Sequence, residues 1–248
     1  KIQWHAFGYC SSMKKIKLSE NLESIGVYAF ENCNALKSIE IPNSVTDIGG
    51  CAFAECKELS EVILSKSLQS MGGRVFRNDN KLTEIEIPKS LEKCEYSVNS
   101  ASINGGAFEG CANLKTVTFE EGTTEIAEGL FAGCTGIEQI KIPDTVTEIE
   151  SGAFGGCINL TEIEIPDSVT KIQWHAFGYC SSMKKIKLSE NLKNIGVYAF
   201  ENCTNLTEVR LSNVLEEIPT NTFNGCKKLT TINFPSTLLT IGNSAFLG

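Results

Sequence analysis

The apolar residues of this chain recur with a fixed period. The step from one phenylalanine to the next is 23 residues in nine of ten cases, and the step from Phe76 to Phe108 is 32 residues because it contains nine extra residues. The phenylalanines in this column are Phe7, Phe30, Phe53, Phe76, Phe108, Phe131, Phe154, Phe177, Phe200, Phe223 and Phe246. A period kept along a whole chain indicates a repeat architecture.

Other residue types follow the same period. Leucine or a related residue lies six positions after most of the phenylalanines, and aliphatic residues such as Ile39 and Ile41 lie nine and eleven positions after. Polar and apolar side chains alternate through residues 38–41, which predicts a short strand with one buried face. Cysteines lie three positions after most phenylalanines, at Cys10, Cys33, Cys56, Cys111, Cys134, Cys157, Cys180, Cys203 and Cys226.

The repeat length predicts the fold class. A βαβ unit needs about 30 residues, whereas one coil of a leucine-rich repeat takes about 20–29. One coil cannot bury its own apolar face, so like residues of successive coils must stack on each other. We therefore expect residues 1–248 to form one solenoid domain of ten to eleven coils, with each phenylalanine, cysteine and leucine in its own interior row.

The rest of each coil is predicted from shorter signals. The Ala-Phe-x-x-Cys segment, as in residues 29–33, favours one helical or 3₁₀ turn. The Val-Thr-x-Ile-Gly segment, as in residues 45–49, favours a second short strand. Glycines near the end of that segment are expected to adopt unusual dihedral angles at a tight corner. These glycines are Gly26, Gly49, Gly72, Gly196 and Gly242.

One recurring string carries a family resemblance. Leu-x-x-Ile-x-Ile-Pro-x-x-Val-x-x-Ile-x-x-x-Ala-Phe-x-x-Cys is clearest at residues 160–180 and resembles the BspA-like leucine-rich repeat family. The resemblance implies a right-handed superhelix of short parallel strands with 3₁₀ or extended return segments. Members are typically bacterial or protozoan surface proteins implicated in adhesion, so the resemblance implies an extracellular or cell-surface location.

The extra residues form an insertion near residues 92–102. We expect a surface loop there. The alternative is a binding element, because insertions in solenoids often lie on one functional face, and Tyr96 would then be its contact residue. In the same coil Asp79 replaces the column cysteine. A charge cannot simply replace a buried thiol, so this turn is expected to open toward solvent.

Residues 1–33 nearly repeat residues 171–203. The two segments differ only at Glu23 against Lys193 and at Ser24 against Asn194, which indicates a recent duplication and argues against a unique site in either copy. Neither end of the chain resembles the polar cap that solenoids need. We therefore expect a part of a longer native protein, whose exposed end coils could associate end to end with another molecule.

Composition excludes several classes of function. The chain has 22 basic and 30 acidic residues, a net charge of −8, and no evident basic patch, so nucleic acid is not an expected partner. No run of 18 apolar residues is present, so no transmembrane helix is expected.

Motifs for catalysis, cofactors and metals are missing from the sequence. The only two histidines, His5 and His175, occupy equivalent positions in the duplicated segments, and no nucleophile motif accompanies them. We expect partly exposed structural histidines, no catalytic residues, no cofactor and no metal site. The cysteines, 23 residues apart, are predicted to be reduced buried thiols. Cys51 and Cys94 lie outside the column and are the candidates for reactivity.

The outward positions of the strands form the candidate binding face, since a solenoid usually binds through its strands. An acidic patch and a basic patch are expected on it, although a plain solvated face remains the simpler interpretation. The candidates are Glu61, Glu84, Glu86, Lys141, Glu162, Glu164, Lys185, Lys187, Glu208 and Arg210. This face has no aromatic residue, while Trp4, Tyr9, Trp174 and Tyr179 lie near the turns. These four could form an exposed patch, but packing between coils is favoured.

Two functions remain open at this stage. The first is a non-catalytic adhesion or interaction module that binds a protein or glycan ligand, possibly from a host. The alternative is a passive spacer that presents another domain of a longer surface protein. The sequence does not separate the two.

Overall fold

A computed structural model describes residues 1–99 and 102–248, and the chain forms a parallel β-solenoid. From residue 38 onward, each coil contributes one strand that contains the isoleucine position of the Leu-x-x-Ile segment and one shorter return strand on another side. We call the surface formed by the first set the strand face. Its strands are β2 (Ser38–Glu40), β4 (Glu61–Ile63), β6 (Glu84–Ile87), β10 (Thr116–Phe119), β12 (Gln139–Lys141), β14 (Glu162–Glu164), β16 (Lys185–Lys187), β18 (Glu208–Arg210) and β20 (Thr231–Asn233).

The return strands are two residues long, and an additional antiparallel hairpin lies within the insertion. The return strands are β1 (Ser24–Ile25), β3 (Asp47–Ile48), β5 (Ser70–Met71), β7 (Lys93–Cys94), β11 (Glu125–Ile126), β13 (Glu148–Ile149), β15 (Lys171–Ile172), β17 (Asn194–Ile195), β19 (Glu217–Ile218) and β21 (Thr240–Ile241). The hairpin strands are β8 (Ser97–Asn99) and β9 (Ser102–Asn104). Ser100 and Ala101 of the predicted insertion lie outside the described residues.

The repeat length sets the strand register. Paired residues in the long strand-face sheet β12-β14-β16-β18-β20 are 23 positions apart, so that Ile140, Ile163 and Ile186 follow one another along the stack. The strand face also contains two smaller sheets, β2-β4 and β6-β10. No strand pairing joins β4 to β6 or β10 to β12, all four of which are fully described. The strand face therefore consists of three parts.

The phenylalanine column forms one interior row, as the sequence predicted. Ring centroids of successive phenylalanines lie 5.0 to 5.7 Å apart, and the rings are stacked in every step from Phe7 to Phe246. The row crosses the insertion without interruption, since Phe76 stacks on Phe108 at 5.3 Å. The nine-residue insertion therefore leaves the interior register intact.

The cysteine column forms a second buried row from Cys33 onward, whereas Cys10 is exposed and its predicted burial is wrong. The buried thiols also have a role that the sequence did not predict. The thiol of Cys157 donates a hydrogen bond to the carbonyl oxygen of Phe131 in the preceding coil at 3.2 Å, and Cys180 and Cys203 repeat this bond. Burial raises the pKa of these thiols well above the ordinary value. These three cysteines therefore satisfy backbone carbonyls between coils as well as filling space.

The predicted helical turn at Ala-Phe-x-x-Cys is wrong in its conformation. The segment has turns closed by a hydrogen bond between residues three positions apart, such as the bond from Cys33 N–H to Phe30 O at 3.2 Å. However, Tyr28 and Asn32, which flank Phe30 by two positions, have φ angles of 56° and 57°. Left-handed residues cannot continue a right-handed helix, and the described residues contain no helix.

The reason proposed for the corner glycines is also wrong. Gly49 and Gly72 do not have positive φ angles. A Cβ atom on Gly49 would instead lie 2.5 Å from the backbone nitrogen of Val27 in the preceding coil, and Gly72 meets the backbone of Gly50 in the same way. Glycine is therefore required there because the backbones of adjacent coils approach closely.

The turn that carries Asp79 does not open toward solvent. Asp79 is fully buried, and its Oδ1 accepts a hydrogen bond from the backbone N–H of Cys56 at 2.7 Å. Burial raises the pKa of the Asp79 carboxyl well above its ordinary value, and the nearby Glu55 raises it further. The coil accommodates the carboxyl group inside the cysteine row, because that row offers a backbone donor.

Candidate binding surfaces

The ten candidate residues of the strand face point outward on strands β4 to β18. Nine of them are exposed and Glu208 is half-buried. This follows from the period of two in a strand, which turns Glu162 and Glu164 outward and buries Ile163 between them. The strand face thus displays charged side chains over a buried aliphatic layer.

A groove lies on this face where the sheet is interrupted between β4 and β6. Its volume is about 610 Å³, and its lining includes Glu61, Glu84, Glu86 and Glu120. Glu61 and Glu84 are 23 residues apart and would be direct neighbours in a continuous sheet. Both carboxylates point outward, so the edges of this interruption are negatively charged. We call this groove the acidic groove.

The carboxylates of the acidic groove are not compensated by cations. Within residues 1–99 and 102–248, no ion pair engages Glu61, Glu84 or Glu86. Ile63 also lines the groove and is 50% exposed, and Lys66 is the basic residue of its lining. The groove therefore combines uncompensated negative charge with an accessible apolar side chain.

The predicted basic patch is largely neutralised. Lys185 Nζ lies 2.9 Å from Glu208 Oε2, and Arg210 lies 3.5 Å from Glu190 Oε1. Lys187 pairs in register with Glu164 on the adjacent strand. Acidic and basic side chains are therefore mixed on this half of the strand face, although Lys187 lies opposite Arg210. Lys141 lines a smaller depression together with Glu164 and Lys187.

The insertion packs against the solenoid and is not a free loop. We call its described residues 95–99 and 102–104 the strap. The Tyr96 ring lies against Gly129 and Gly152, where a Cβ atom on Gly129 would be 2.5 Å from the ring. Burial raises the pKa of Tyr96 to about 12, and the carboxylates of Glu128 and Glu150 add to this effect. Tyr96, the candidate contact residue, is thus half-buried and holds the strap in place.

The other end of the strap reaches further along the stack. Ile103 is 1% exposed and packs against Gly155 and Gly178, where added Cβ atoms would lie 2.6 and 2.9 Å from its side chain. Its carbonyl oxygen lies against Gly156. The strap therefore crosses three successive coils after its own.

A sequence signal for this docking site exists but was not recognised. In three successive coils, and in no others, glycine lies both two residues before and two residues after the phenylalanine. These pairs are Gly106 and Gly110, Gly129 and Gly133, and Gly152 and Gly156. Other coils carry larger residues at these positions, such as Tyr28 and Asn32. The glycines leave a shallow surface on which the strap lies.

The histidines and aromatic residues near the turns differ from expectation. His175 is 4% exposed, so the expected partial exposure is wrong for this residue. Trp4, Tyr9 and Trp174 are 67%, 66% and 40% exposed, and the favoured packing between coils is wrong for these three. Tyr179 is half-buried. Exposed aromatic side chains therefore lie on the turn side of two coils.

The titratable groups outside the strand face have the properties of buried structural residues. Burial lowers the pKa of His175 to about 4. The histidine is therefore neutral near pH 7 and forms no ion pair with Glu201, which lies 3.7 Å away. Cys94 is buried and Cys51 half-buried, and desolvation raises the pKa of both thiols. Neither has the low pKa of a reactive cysteine.

No group of three or more potential metal ligands occurs within the described ranges. Likewise, the described part of the chain contains no helix long and apolar enough to span a bilayer.

Stacked 23-residue coils with parallel strands and one interior phenylalanine row define a leucine-rich repeat solenoid. The family model described as "BspA type Leucine rich repeat region (6 copies)" matches residues 1–102, 90–188 and 124–248. The chain therefore belongs to the BspA-type leucine-rich repeat family, as its repeated string indicated.

Solved structures of bacterial proteins are similar to this chain. A leucine-rich repeat protein from Bacteroides ovatus is 28% identical, with a TM-score of 0.50, over 100% of this chain and 80% of that protein. A leucine-rich cell-surface protein from Faecalibacterium prausnitzii is 27% identical, with a TM-score of 0.50, over 92% of this chain and 69% of that protein. A comparison with curated proteins gives no match.

Proposed function

We propose that this chain is a non-catalytic interaction module that binds a cationic segment of a partner protein in the acidic groove. The observation that carries the proposal is the set of three carboxylates, Glu61, Glu84 and Glu86, which line one groove and have no ion-pair partner among the described residues. On the other half of the face, Lys185 and Arg210 are paired with carboxylates. Clefts lined by one sign of charge attract the opposite charge and raise its local concentration.

The geometry of the groove suits arginine in particular. Glu84 and Glu86 both point outward from strand β6, two residues and about 6.6 Å apart, and Glu61 lines the groove from the neighbouring coil. A guanidinium group binds carboxylates through two parallel hydrogen bonds. The exposed side of Ile63 offers contact to the aliphatic part of an arginine or lysine side chain.

We further propose that the module acts outside the cell, at the cell surface or in secreted form. Membership in the family supports this location, as does the similar protein from Faecalibacterium prausnitzii, which is described as a cell-surface protein. Detection of the intact protein by antibody on unpermeabilised cells would test the location, and confinement to the cytosolic fraction would contradict it.

The binding proposal is tested with a synthetic peptide of alternating arginine and glycine as the probe. Replacing Glu61, Glu84 and Glu86 with glutamine removes the charge and keeps the shape. We expect binding that weakens as salt rises and that falls at least roughly tenfold in this variant, measured by titration calorimetry.

The other half of the strand face supplies a matched control. Replacing Glu162, Glu164 and Glu208 with glutamine makes the same chemical change where acidic and basic residues are mixed, and we expect less than about a twofold loss of affinity. Equal losses in the two variants would show that only net charge matters. A chain that binds no cationic segment would instead favour a passive spacer that presents another domain.

We also propose that the 248-residue chain associates end to end. Its last coil exposes Leu239 and Ile241 at 77% and 51%, and return strand β21 has one edge unpaired within the described residues. Unpaired strand edges pair readily with other chains. Sedimentation velocity across a concentration series should show a rising mass, and a constant monomer would contradict the association.

A further inference from the structure

Two groups of aromatic residues lie on the turn side of the solenoid, away from the acidic groove. Their positions are equivalent in the duplicated segments, and each group extends over two neighbouring coils. We call them the aromatic patches. The first consists of Trp4, His5, Tyr9 and Tyr28, and the second of Trp174, His175, Tyr179 and Tyr198.

The rings within each patch are arranged in the same way. In the second patch, His175 stacks on Tyr198 with centroids 4.8 Å apart, and Trp174 meets His175 edge-on at 4.4 Å. The first patch repeats both contacts at 4.9 and 4.3 Å. The histidine ring thus lies between the two others, while the indole of Trp174 remains 40% exposed. Each patch is a preformed aromatic platform.

The left-handed backbone of these residues is a feature of the repeat. His175, Tyr179 and Tyr198 have φ angles of 52°, 62° and 61°, and the corresponding residues Cys51 and Arg74 of other coils have 55° and 61°. The duplication explains why the two patches are alike, and what distinguishes them from the other coils is the exposed indole that each presents.

Polar side chains border the second patch. Burial lowers the pKa of His175 to about 4 and raises the pKa of the Glu201 carboxyl. Gln173 donates a hydrogen bond to Glu148 Oε1 at 2.5 Å, and the Glu148 carboxylate is also paired with Lys171 at 2.7 Å. The patch therefore offers an exposed ring bordered by a neutral imidazole, an amide and a carboxylate that is already paired.

We propose that each aromatic patch binds a sugar unit of a neutral glycan, stacked on the exposed indole. A sugar ring has an apolar C–H face and a rim of hydroxyl groups. Sites for such ligands combine aromatic surface with a few placed polar groups, which is the composition of these patches. The cationic segment proposed for the acidic groove requires uncompensated carboxylates instead, so the two surfaces select different ligands.

The presence of two patches on one rigid body favours a polymer. Seven coils separate them, which corresponds to roughly 34 Å along the stack. A glycan chain that spans both patches binds the second one intramolecularly, and the overall affinity then exceeds that of either patch alone. A ligand with repeating units can offer the same epitope to both.

The experiment uses the two tryptophans as reporters, because Trp4 and Trp174 are the only ones in the sequence. The probes are cellohexaose, chitohexaose, maltohexaose and laminarihexaose. We expect at least one to change tryptophan emission saturably, with two sites per chain. Trp174→Ala should leave one site, and Trp4→Ala with Trp174→Ala should abolish binding measured by calorimetry. Phe234→Ala, which removes an exposed aromatic outside the patches, should keep both sites.

For the polymer of the sugar that binds, each single tryptophan variant should lose at least tenfold in affinity. Three results would overturn the proposal: no hexasaccharide changes emission at millimolar concentration, the double variant still binds, or only the arginine–glycine peptide changes emission. The last result would make the patches cation sites. Sugar binding that persists after Glu61, Glu84 and Glu86 are replaced with glutamine would show that the patches act independently of the acidic groove.

Discussion

Asp79 shows how one residue departs from a repeat without breaking it. It occupies the position of the column cysteine, is fully buried, and has one oxygen bonded to the backbone of Cys56. Its second carboxylate oxygen has no hydrogen-bond partner. Such a group costs free energy that a thiol in the same place does not.

Asp79→Cys should therefore stabilise the protein, by about 1–3 kcal/mol at pH 8. The folded-state pKa of Asp79 is raised, so its contribution to stability is fully present below the ordinary carboxyl pKa and is lost as pH rises through the folded value. The gain from the substitution should therefore be smaller at pH 4 than at pH 8. Urea unfolding at both pH values measures it.

Asp79→Asn serves as the control, since it removes the charge and keeps an acceptor for the Cys56 N–H. Its gain in free energy of unfolding over the unmodified protein should also be smaller at pH 4 than at pH 8. A gain from Asp79→Cys that is as large at pH 4 as at pH 8 would show that Asp79 does not titrate as described.

The sequence was sufficient to predict which residues of each column are buried, because the 23-residue period identifies equivalent positions. It did not predict how single positions are satisfied. The environment of Asp79 depends on a backbone donor from another coil, and the need for glycine at Gly49 depends on the approach of Val27. Both features depend on distances between neighbouring coils, and the sequence of a single repeat gives no information about those distances.

At the scale of secondary-structure elements, the strap is the main departure from the regular coils. Its length was evident from the 32-residue step, but its position on the solenoid was not. Tyr96 and Ile103 dock on glycines of coils that follow in the sequence. The docking site is a surface formed by glycines of several coils, so no single repeat indicates it. The strap covers part of the turn side, so the acidic groove on the strand face stays free.

Gly156→Ala tests the docking of the strap. Gly156 has φ 71° and lies against the carbonyl oxygen of Ile103. Gly225→Ala is the matched control, because Gly225 occupies the same position in its coil with φ 75° but faces the side chain of Asn202. Both variants should lose about 1–2 kcal/mol from left-handed strain.

Only Gly156→Ala should also release the strap. We expect faster hydrogen exchange at the amides of β8 and β9 in this variant, whereas Gly225→Ala should leave their exchange unchanged. Equal exchange at these amides in the two variants would contradict the docked strap.

At the scale of the whole molecule, charge differs between two regions of the strand face. Around β4 and β6 the sheet is interrupted and the carboxylates of Glu61, Glu84 and Glu86 line one groove. On β16 and β18, Lys185 and Arg210 are instead paired with Glu208 and Glu190. The acidic patch was predictable from the outward positions. The pairing of Lys185 and Arg210 with Glu208 and Glu190 was not, because it depends on distances between side chains of different coils.

The central claim is that the acidic groove is the recognition surface. The most direct test is hydrogen–deuterium exchange of the chain, measured with and without the arginine–glycine peptide. The account predicts that the peptide slows exchange in residues 60–66, 84–88 and 116–120, which line the groove, and leaves β14 to β18 unchanged. Protection confined to β14 to β18 or to the return strands, or no protection at saturating peptide, would contradict it.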